Sequence, residues 1–193
     1  DYLTNGFWAM KKEEELPCKG ITASFLVRME DVTAEVLADV TPNMDAATRA
    51  ATIKKVTQKL QKDNSEKGKY KVDVKSFFED NEYYMFVYIV YRDVRLVGAP
   101  PSSIGKFGGD TDNWMWPRHT GDFSMLRVYA GPDGEPADYS KDNIPMKPKH
   151  YLPVSLKGVK KNDFAMVWGY PGTTDRFLTS YGVNLAVEES NPT

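Results

Sequence analysis

Cysteine, histidine and long apolar runs are scarce in this sequence, and each shortage excludes a class of protein. A single cysteine, Cys18, cannot form a disulfide within the chain. The two histidines, His119 and His150, are too few beside one cysteine for a zinc site to be expected. The longest apolar stretch, residues 83–91, has the length of a strand and is well short of the roughly 18 residues that a membrane-spanning helix needs. We therefore expect no metal, no cofactor and no membrane-spanning segment.

An excess of charge of either sign is also missing. The chain has 25 Lys and Arg against 27 Asp and Glu, which gives a formal net charge of −2. No basic run alternates with aromatic residues, so nucleic acid is not an expected partner. With 41% hydrophobic residues in a length of 193, the chain can build the core of one or two globular domains. It begins at Asp1 with neither an initiator methionine nor a signal sequence, and we expect it to be a piece of a longer protein.

The spacing of apolar residues predicts a mainly β protein with one helical insertion. An amphipathic helix is expected over residues 45–63, where apolar residues recur at three- and four-residue steps, and Asp31 is expected to cap a short helix before it. A hairpin turn is expected over residues 79–82. The expected strands cover residues 21–29, 70–78, 83–97, 123–129 and 164–168, with 178–187 as a candidate continuation.

The most distinctive stretch is residues 108–129, which reads GGDTDNWMWPRHTGDFSMLRVY. Its polar and aromatic loop leads into a strand-like run, and Asp122 stands at the junction. A carboxylate in that place is a common way to hold a catalytic acid rigidly. It can orient an imidazole and stabilise the imidazolium that forms when a serine is deprotonated. An Asp before an apolar strand is also a common turn or cap residue, and this pattern alone leaves both interpretations open.

Three blocks of sequence resemble the dipeptidyl-peptidase 7 and 11 family of bacterial serine peptidases. They are DYLTNGFWA at 1–9, DNWMWPRHTGDFS at 112–124 and MVWGYPGTT at 166–174. The resemblance implies a chymotrypsin-like double β-barrel, interrupted by a large helical domain, that removes dipeptides from the free N-terminus of peptides. It implies that Asp122 is the triad aspartate, and that Asn113 and Trp114 help to hold the N-terminal amine of the substrate.

The chemistry of an amine fits these two residue types. An ammonium group needs hydrogen-bond acceptors and tolerates an aromatic face, and Asn113 has an amide oxygen while Trp114 has a ring. An amine held at a fixed distance from the nucleophile would measure out two residues. His119 is not expected to be the catalytic base, because it is only three residues from Asp122.

The resemblance also implies what lies elsewhere. The catalytic histidine would precede residue 1, and the nucleophilic serine would follow in a distant Gly-Asn-Ser-Gly type of loop. The chain has no Gly-x-Ser-x-Gly elbow. We therefore expect the chain to supply one triad member and, by itself, to hydrolyse nothing.

Domain organisation and setting follow from the same resemblance. It implies that residues 1–129 form part of a first β-barrel with a helical insertion at about 31–64, that 130–160 are an interdomain linker, and that 161–193 start a second barrel. It further implies a homodimer of the full-length protein and export to the periplasm or cell surface. The alternative is a non-catalytic β-rich module whose Trp114 and Trp116 loop binds peptide or carbohydrate.

Overall fold

The structure is a computed structural model that describes residues 1–113, 115–166, 169 and 178–190. The chain divides into two compact units, Asp1–Lys149 and His150–Thr193. The elements of the first unit are, in chain order, α1 (Tyr2–Asn5), β1 (Phe7–Trp8), β2 (Leu16–Pro17), β3 (Ala23–Asp31), α2 (Thr33–Leu37), α3 (Ala46–Asn64), β4 (Lys71–Phe77), β5 (Glu82–Tyr91), β6 (Asp93–Ala99), α4 (Ser102–Gly105), α5 (Gly109–Asn113), β7 (Met125–Ala130) and β8 (Ile144–Pro145). Short 3-10 turns cover Lys12–Glu14 and Glu66–Gly68.

The described strands form two antiparallel sheets. The larger sheet has the order β1-β6-β7-β8, and β2 pairs with another part of β6. The smaller sheet has the order β3-β5-β4. Gly98 of β6 leaves the space in which the ring of Trp8 packs, and a Cβ at this position would collide with that ring. This close approach holds β1 against the end of β6, and the start of β7 pairs with the opposite side of β6 at the same glycine.

Helices α2 and α3 cover one face of the smaller sheet. The period-two alternation of β5 turns Tyr83, Met85 and Val87 towards the helices, and all three side chains are buried. Val36 of α2 and Leu60 of α3 complete this core. Burying an aliphatic side chain of this size stabilises the fold by roughly 1.5–3 kcal/mol. The core therefore joins the helices to the sheet.

Helix α3 confirms the amphipathic helix expected from the sequence. Its N-cap is Asp45, whose carboxylate accepts a hydrogen bond from the backbone N–H of Thr48 at 2.8 Å. This bond favours the charged carboxylate and lowers the pKa of Asp45 below its ordinary value. The N-cap of α2 is Val32 and not Asp31, but the side chain of Asp31, one residue earlier, accepts a hydrogen bond from the N–H of Thr33 at 2.9 Å.

The single strand expected over residues 83–97 is wrong, because the structure has two strands there. β5 ends at Tyr91 in the smaller sheet, and β6 begins at Asp93 in the larger one. No glycine or proline marks the junction at Arg92, so the apolar pattern runs through it. The change of sheet depends on Asp93 and Arg95, which are buried by long-range contacts with later parts of the chain.

In the second unit, the strand considered for residues 178–187 is also wrong. Ser180–Asn184 form helix α6, which continues as a wider π-helical turn over Leu185–Ser190. Thr179 caps this helix by accepting a hydrogen bond from the N–H of Gly182 at 3.3 Å. In the expected strand 164–168, residues 164–166 are not in a strand, and residues 167 and 168 lie outside the described residues.

None of the helices in the described ranges combines the length and apolar character needed to cross a membrane.

Candidate active site

Asp122 lies on the wall of an open cleft at one end of the larger sheet. The cleft has a volume of about 690 Å³ and lies where β6 ends and β7 begins. Its lining includes Ala99, Ser102, Lys106, Asp110, Asp122 and Ser124. Asp122 is exposed, so its carboxylate faces the open cleft rather than the core. The carboxylate of Asp122, three residues before the start of β7, is therefore accessible from the cleft.

Strand pairing determines where Asp122 stands. β7 pairs with β6 from Met125, opposite Gly98, and the register is irregular between Leu96 and Gly98. The ring of Phe123, directly after Asp122, lies 6.2 Å from the ring of Trp8. The residues that follow Asp122 are thus held twice, by the packing of Phe123 on Trp8 and by the pairing of β7 with β6.

Two hydrogen bonds hold the residues just before Asp122. The backbone N–H of Gly121 donates to the carbonyl oxygen of Ile104 at 3.0 Å. The hydroxyl of Thr120 donates to the carbonyl oxygen of Phe107 at 3.2 Å. Both acceptors belong to α4 or the turn after it, so the loop that carries Asp122 is attached to the opposite wall of the cleft.

The opposite wall carries an exposed ion pair. Lys106 Nζ lies 3.1 Å from Asp110 Oδ1, with the two residues four apart in sequence. A surface pair of this kind contributes about 0.2–1 kcal/mol to stability and is weakened by salt. Asp110 belongs to α5, and Asn113 is the last residue of that helix. Helix α5 thus runs from the cleft lining to Asn113, whereas Trp114 lies outside the described residues.

His119 does not line the cleft that contains Asp122. Its ring packs edge-on against Phe107, with 6.1 Å between the ring centroids. It lines a smaller hollow of about 220 Å³ with Met115, Pro117 and Thr120. That His119 is not the catalytic base stays a prediction.

A buried polar cluster lies towards the other end of β6 and β7, and sequence reasoning missed it. Arg95 donates to both carboxylate oxygens of Asp93, at 3.0 and 2.7 Å, and to the carbonyl oxygen of Ser140 at 2.8 Å. The amide of Asn143 donates to Asp93 at 2.8 Å. The guanidinium of Arg95 also lies 3.7 Å from the ring centre of Tyr129. The signal that could have revealed it is the spacing of Asp93 and Arg95, since residues two apart in a strand share a face.

Glu15 extends this cluster from the N-terminal segment. It accepts hydrogen bonds from the hydroxyl of Tyr129 and from Nε of Arg127, both at 2.8 Å. Burial, together with the bond to Glu15, raises the pKa of Tyr129 to about 12. Among the described residues no buried side-chain nitrogen or oxygen lacks a hydrogen-bond partner. The hydrogen bonds of the cluster therefore join the N-terminal segment to β6, β7 and the segment that carries Asn143.

The parts of the chain that the structure describes contain no cluster of metal-ligating side chains. Within those ranges no three His, Cys, Asp or Glu side chains come together as the ligands of a metal ion would. The cleft beside Asp122 supplies carboxylates from Asp110 and Asp122, and Asp110 is already paired with Lys106.

The family model and the curated relatives that match this chain point to the same family of peptidases. The family model Peptidase S46 matches residues 1–193. The chain is 53% identical over 192 residues to dipeptidyl-peptidase 7 of Capnocytophaga gingivalis. It is 55% identical over 196 residues to an Asp/Glu-specific dipeptidyl-peptidase of Flavobacterium psychrophilum. Both alignments cover 100% of this chain and 27% of the relative. The chain therefore spans about a quarter of the length of these relatives.

A solved structure matches the fold. The crystal structure of Porphyromonas endodontalis DPP11 in complex with the dipeptide Arg-Glu superposes with a TM-score of 0.83 at 44% sequence identity. The match covers 96% of this chain and 27% of that one. The predicted fold class, mainly β with a chymotrypsin-like barrel, is confirmed. The roles of Asp122, Asn113 and Trp114, the domain bounds and the export of the protein stay predictions.

Proposed function

Because this chain belongs to the peptidase S46 family, we propose that it is a segment of the catalytic domain of a serine dipeptidyl-peptidase. The full-length enzyme releases dipeptides from the free N-terminus of peptides. Relatives named dipeptidyl-peptidase match the chain along its whole length, and the chain spans 27% of theirs. The observation that carries the proposal is Asp122, an exposed carboxylate at the mouth of β7 on the wall of an open cleft.

In this proposal Asp122 is the triad aspartate. Its carboxylate accepts a hydrogen bond from Nδ1–H of a histidine that another segment supplies, which leaves Nε2 free to act as the base. When the serine hydroxyl attacks the scissile carbonyl carbon, its proton passes to Nε2. The negative charge of Asp122 then stabilises the imidazolium, and the same proton passes on to the leaving amine. The exposure of Asp122 on the cleft wall suits this role, because another segment must reach the carboxylate.

Asn113 and Trp114 form the proposed amine site. The Asn113 amide oxygen accepts a hydrogen bond from the substrate ammonium, and the Trp114 ring face attracts its charge. Support comes from α5, which begins in the lining of the Asp122 cleft and ends at Asn113. An amine bound at the end of α5 lies a fixed distance from the catalytic centre, so the enzyme cuts after the second residue.

Blocking the substrate amine tests the proposal. We expect the full-length protein to release dipeptides from peptides with a free N-terminus and not from acetylated ones. Asn113→Ala should raise KM for the free peptides by about 10- to 150-fold, which corresponds to losing one hydrogen bond to a charged group. The measurement is steady-state kinetics on matched free and acetylated peptides.

Thr111→Ala is the control, because Thr111 is an exposed residue of the same helix and has no part in the proposed site. Its KM should stay within about twofold of the wild-type value, as expected for a surface substitution. Equal cleavage of free and acetylated peptides would contradict the dipeptidyl-peptidase proposal.

The alternative of a non-catalytic binding module has one observation in its favour, the exposure of Trp116. This side chain is 84% exposed, as a residue that contacts peptide or carbohydrate often is. The alternative offers no account of the match to peptidases along the whole chain. A full-length protein that binds peptides without cleaving them would support it.

We also infer that the full-length protein is a homodimer. The face of the smaller sheet turned away from α2 and α3 leaves Leu26, Met29 and Phe77 between 38% and 53% exposed. Grouped apolar side chains outside the core are typical of interaction surfaces. Size-exclusion chromatography with light scattering on the full-length protein should give twice the monomer mass at micromolar concentration, and a monomer there would reject the inference.

A further inference from the structure

The segment from Pro101 to Phe107 supports the loop that carries Asp122. The turn of α4 is closed by hydrogen bonds from the N–H groups of Ile104 and Gly105 to the carbonyl of Pro101, both at 2.9 Å. Pro101 in turn packs against Gly6, where a Cβ would lie 2.9 Å from Pro101 Cδ. Gly6 has a φ of 69°, a left-handed conformation that favours glycine. The first residue of this segment, Pro101, is therefore held by its packing against Gly6.

Gly121 lies close against this support, with little room for a side chain. A Cβ at Gly121 would be 3.1 Å from Cγ2 of Ile104, which is closer than ordinary van der Waals contact. The backbone N–H of the same glycine donates to the carbonyl of Ile104 at 3.0 Å. A Cβ on Gly121 would thus require the Ile104 side chain or residues 120–122 to shift by a few tenths of an ångström.

We propose that Gly121 is a positioning residue that acts through Asp122. The hydrogen bond from its N–H to the carbonyl of Ile104, which the absence of a Cβ at Gly121 allows, sets the place of the adjacent carboxylate on the cleft wall. This inference rests on the proposed function, in which Asp122 orients the catalytic histidine. The contact lies at the surface, since Ile104 is 47% exposed, so it contributes little to the core. Its main consequence falls on Asp122, the next residue.

The hydroxyl of Thr120 supports the same arrangement one residue earlier. It donates to the carbonyl of Phe107 at 3.2 Å. Two neighbouring residues of the loop, Thr120 and Gly121, are therefore both hydrogen-bonded to the segment from Pro101 to Phe107. Two bonds of this kind restrict both the distance of the loop from α4 and its rotation. Asp122 then reaches the cleft at one fixed point.

Gly121→Ala in the full-length peptidase tests the proposal. A displacement of about 1 Å at a catalytic group costs about 10²-fold in rate, and the contact at Gly121 requires a shift of a few tenths of an ångström. We therefore expect kcat to fall by about 3- to 10-fold while KM for a free peptide stays within about twofold. Ile104→Ala alone should leave kcat nearly unchanged, because it removes the clashing methyl and keeps the carbonyl acceptor. The double variant Gly121→Ala/Ile104→Ala should recover most of the lost kcat.

A second background shows whether the effect passes through Asp122. When Asp122 is already asparagine, adding Gly121→Ala should lower kcat no further. A full additional loss in that background would overturn the proposal, as would a wild-type kcat for Gly121→Ala. An Asp122→Asn enzyme that keeps full activity would instead reject the triad assignment itself, which separates the two failures.

Thr120 gives an independent variant if Gly121→Ala does not fold. Thr120→Val removes the hydroxyl donor and keeps the shape of the side chain, and it should lower kcat with KM unchanged. Thr120→Ser keeps the donor and should restore kcat. Equal kcat values for the valine and serine variants would contradict the proposed support.

Discussion

Asp122→Asn in the full-length protein should lower kcat by about 10⁴-fold, the loss that serine peptidases show when the triad aspartate becomes an amide. The amide cannot hold the histidine in the required tautomer, and it brings no charge to stabilise the imidazolium. KM should change little, because Asp122 is not part of the proposed amine site. The melting temperature should also be nearly unchanged, since Asp122 is exposed on the cleft wall.

Asp110→Asn is the matched control for this substitution. Asp110 is a second carboxylate of the same cleft, and its partner is Lys106 in an exposed ion pair. Removing its charge should alter kcat by no more than about twofold, since exposed pairs of this kind contribute little. The measurement is kcat of both variants from steady-state kinetics on the same peptide. If Asp110→Asn lost as much activity as Asp122→Asn, the effect would belong to the charge of the cleft and not to a triad.

Asp93→Asn should destabilise the first unit by about 3–5 kcal/mol, as expected when one partner of a buried ion pair is neutralised. Asp93 is 1% exposed and Arg95 is 6% exposed, so the substitution leaves the guanidinium buried without its carboxylate. The measurement is urea denaturation followed by tryptophan fluorescence. Asp138→Asn is the control, because Asp138 pairs with Arg92 at 2.6 Å on the surface and should contribute at most about 1 kcal/mol.

The same cluster predicts a dependence of stability on pH. Burial alone would raise the pKa of Asp93, but the hydrogen bonds from Arg95 and Asn143 outweigh burial and lower that pKa below its ordinary value. A carboxyl with a lowered pKa in the folded state stabilises the protein above its unfolded value of about 4, and the contribution is lost as the pH falls through the folded value. The difference in stability between wild type and Asp93→Asn should therefore shrink below about pH 4. A constant difference down to pH 2 would contradict this account.

Local patterns were enough to predict several elements. Helix α3 follows from three- and four-residue spacing and from Asp45 as its cap, which are interactions among neighbours in sequence. The hairpin between β4 and β5 follows from a polar turn between two alternating runs. The resemblance to a peptidase family likewise follows from short blocks of sequence, and the family match over residues 1–193 confirms it.

Contacts between distant residues decided the rest. The break at Arg92 has no local signal, because the change of sheet depends on the burial of Asp93 and Arg95 against residues some 45 to 50 positions later. Glu15 looks like part of an exposed charged run, yet it is buried by Tyr129 and Arg127 more than 110 positions away. The helix at Ser180–Asn184 replaced an expected strand, since short apolar runs are ambiguous in period.

The sequence by itself determined the family, the class of fold and the carboxylate on which the proposed chemistry depends. It could do so because the motifs of a family lie in short stretches of sequence, and a helical period repeats every three or four residues. Only the tertiary structure decided that Asp122 shares a cleft with α4, and that Gly121 lies close against Ile104. Those facts depend on the distance between backbones that are 17 residues apart, which is set by strand pairing and packing.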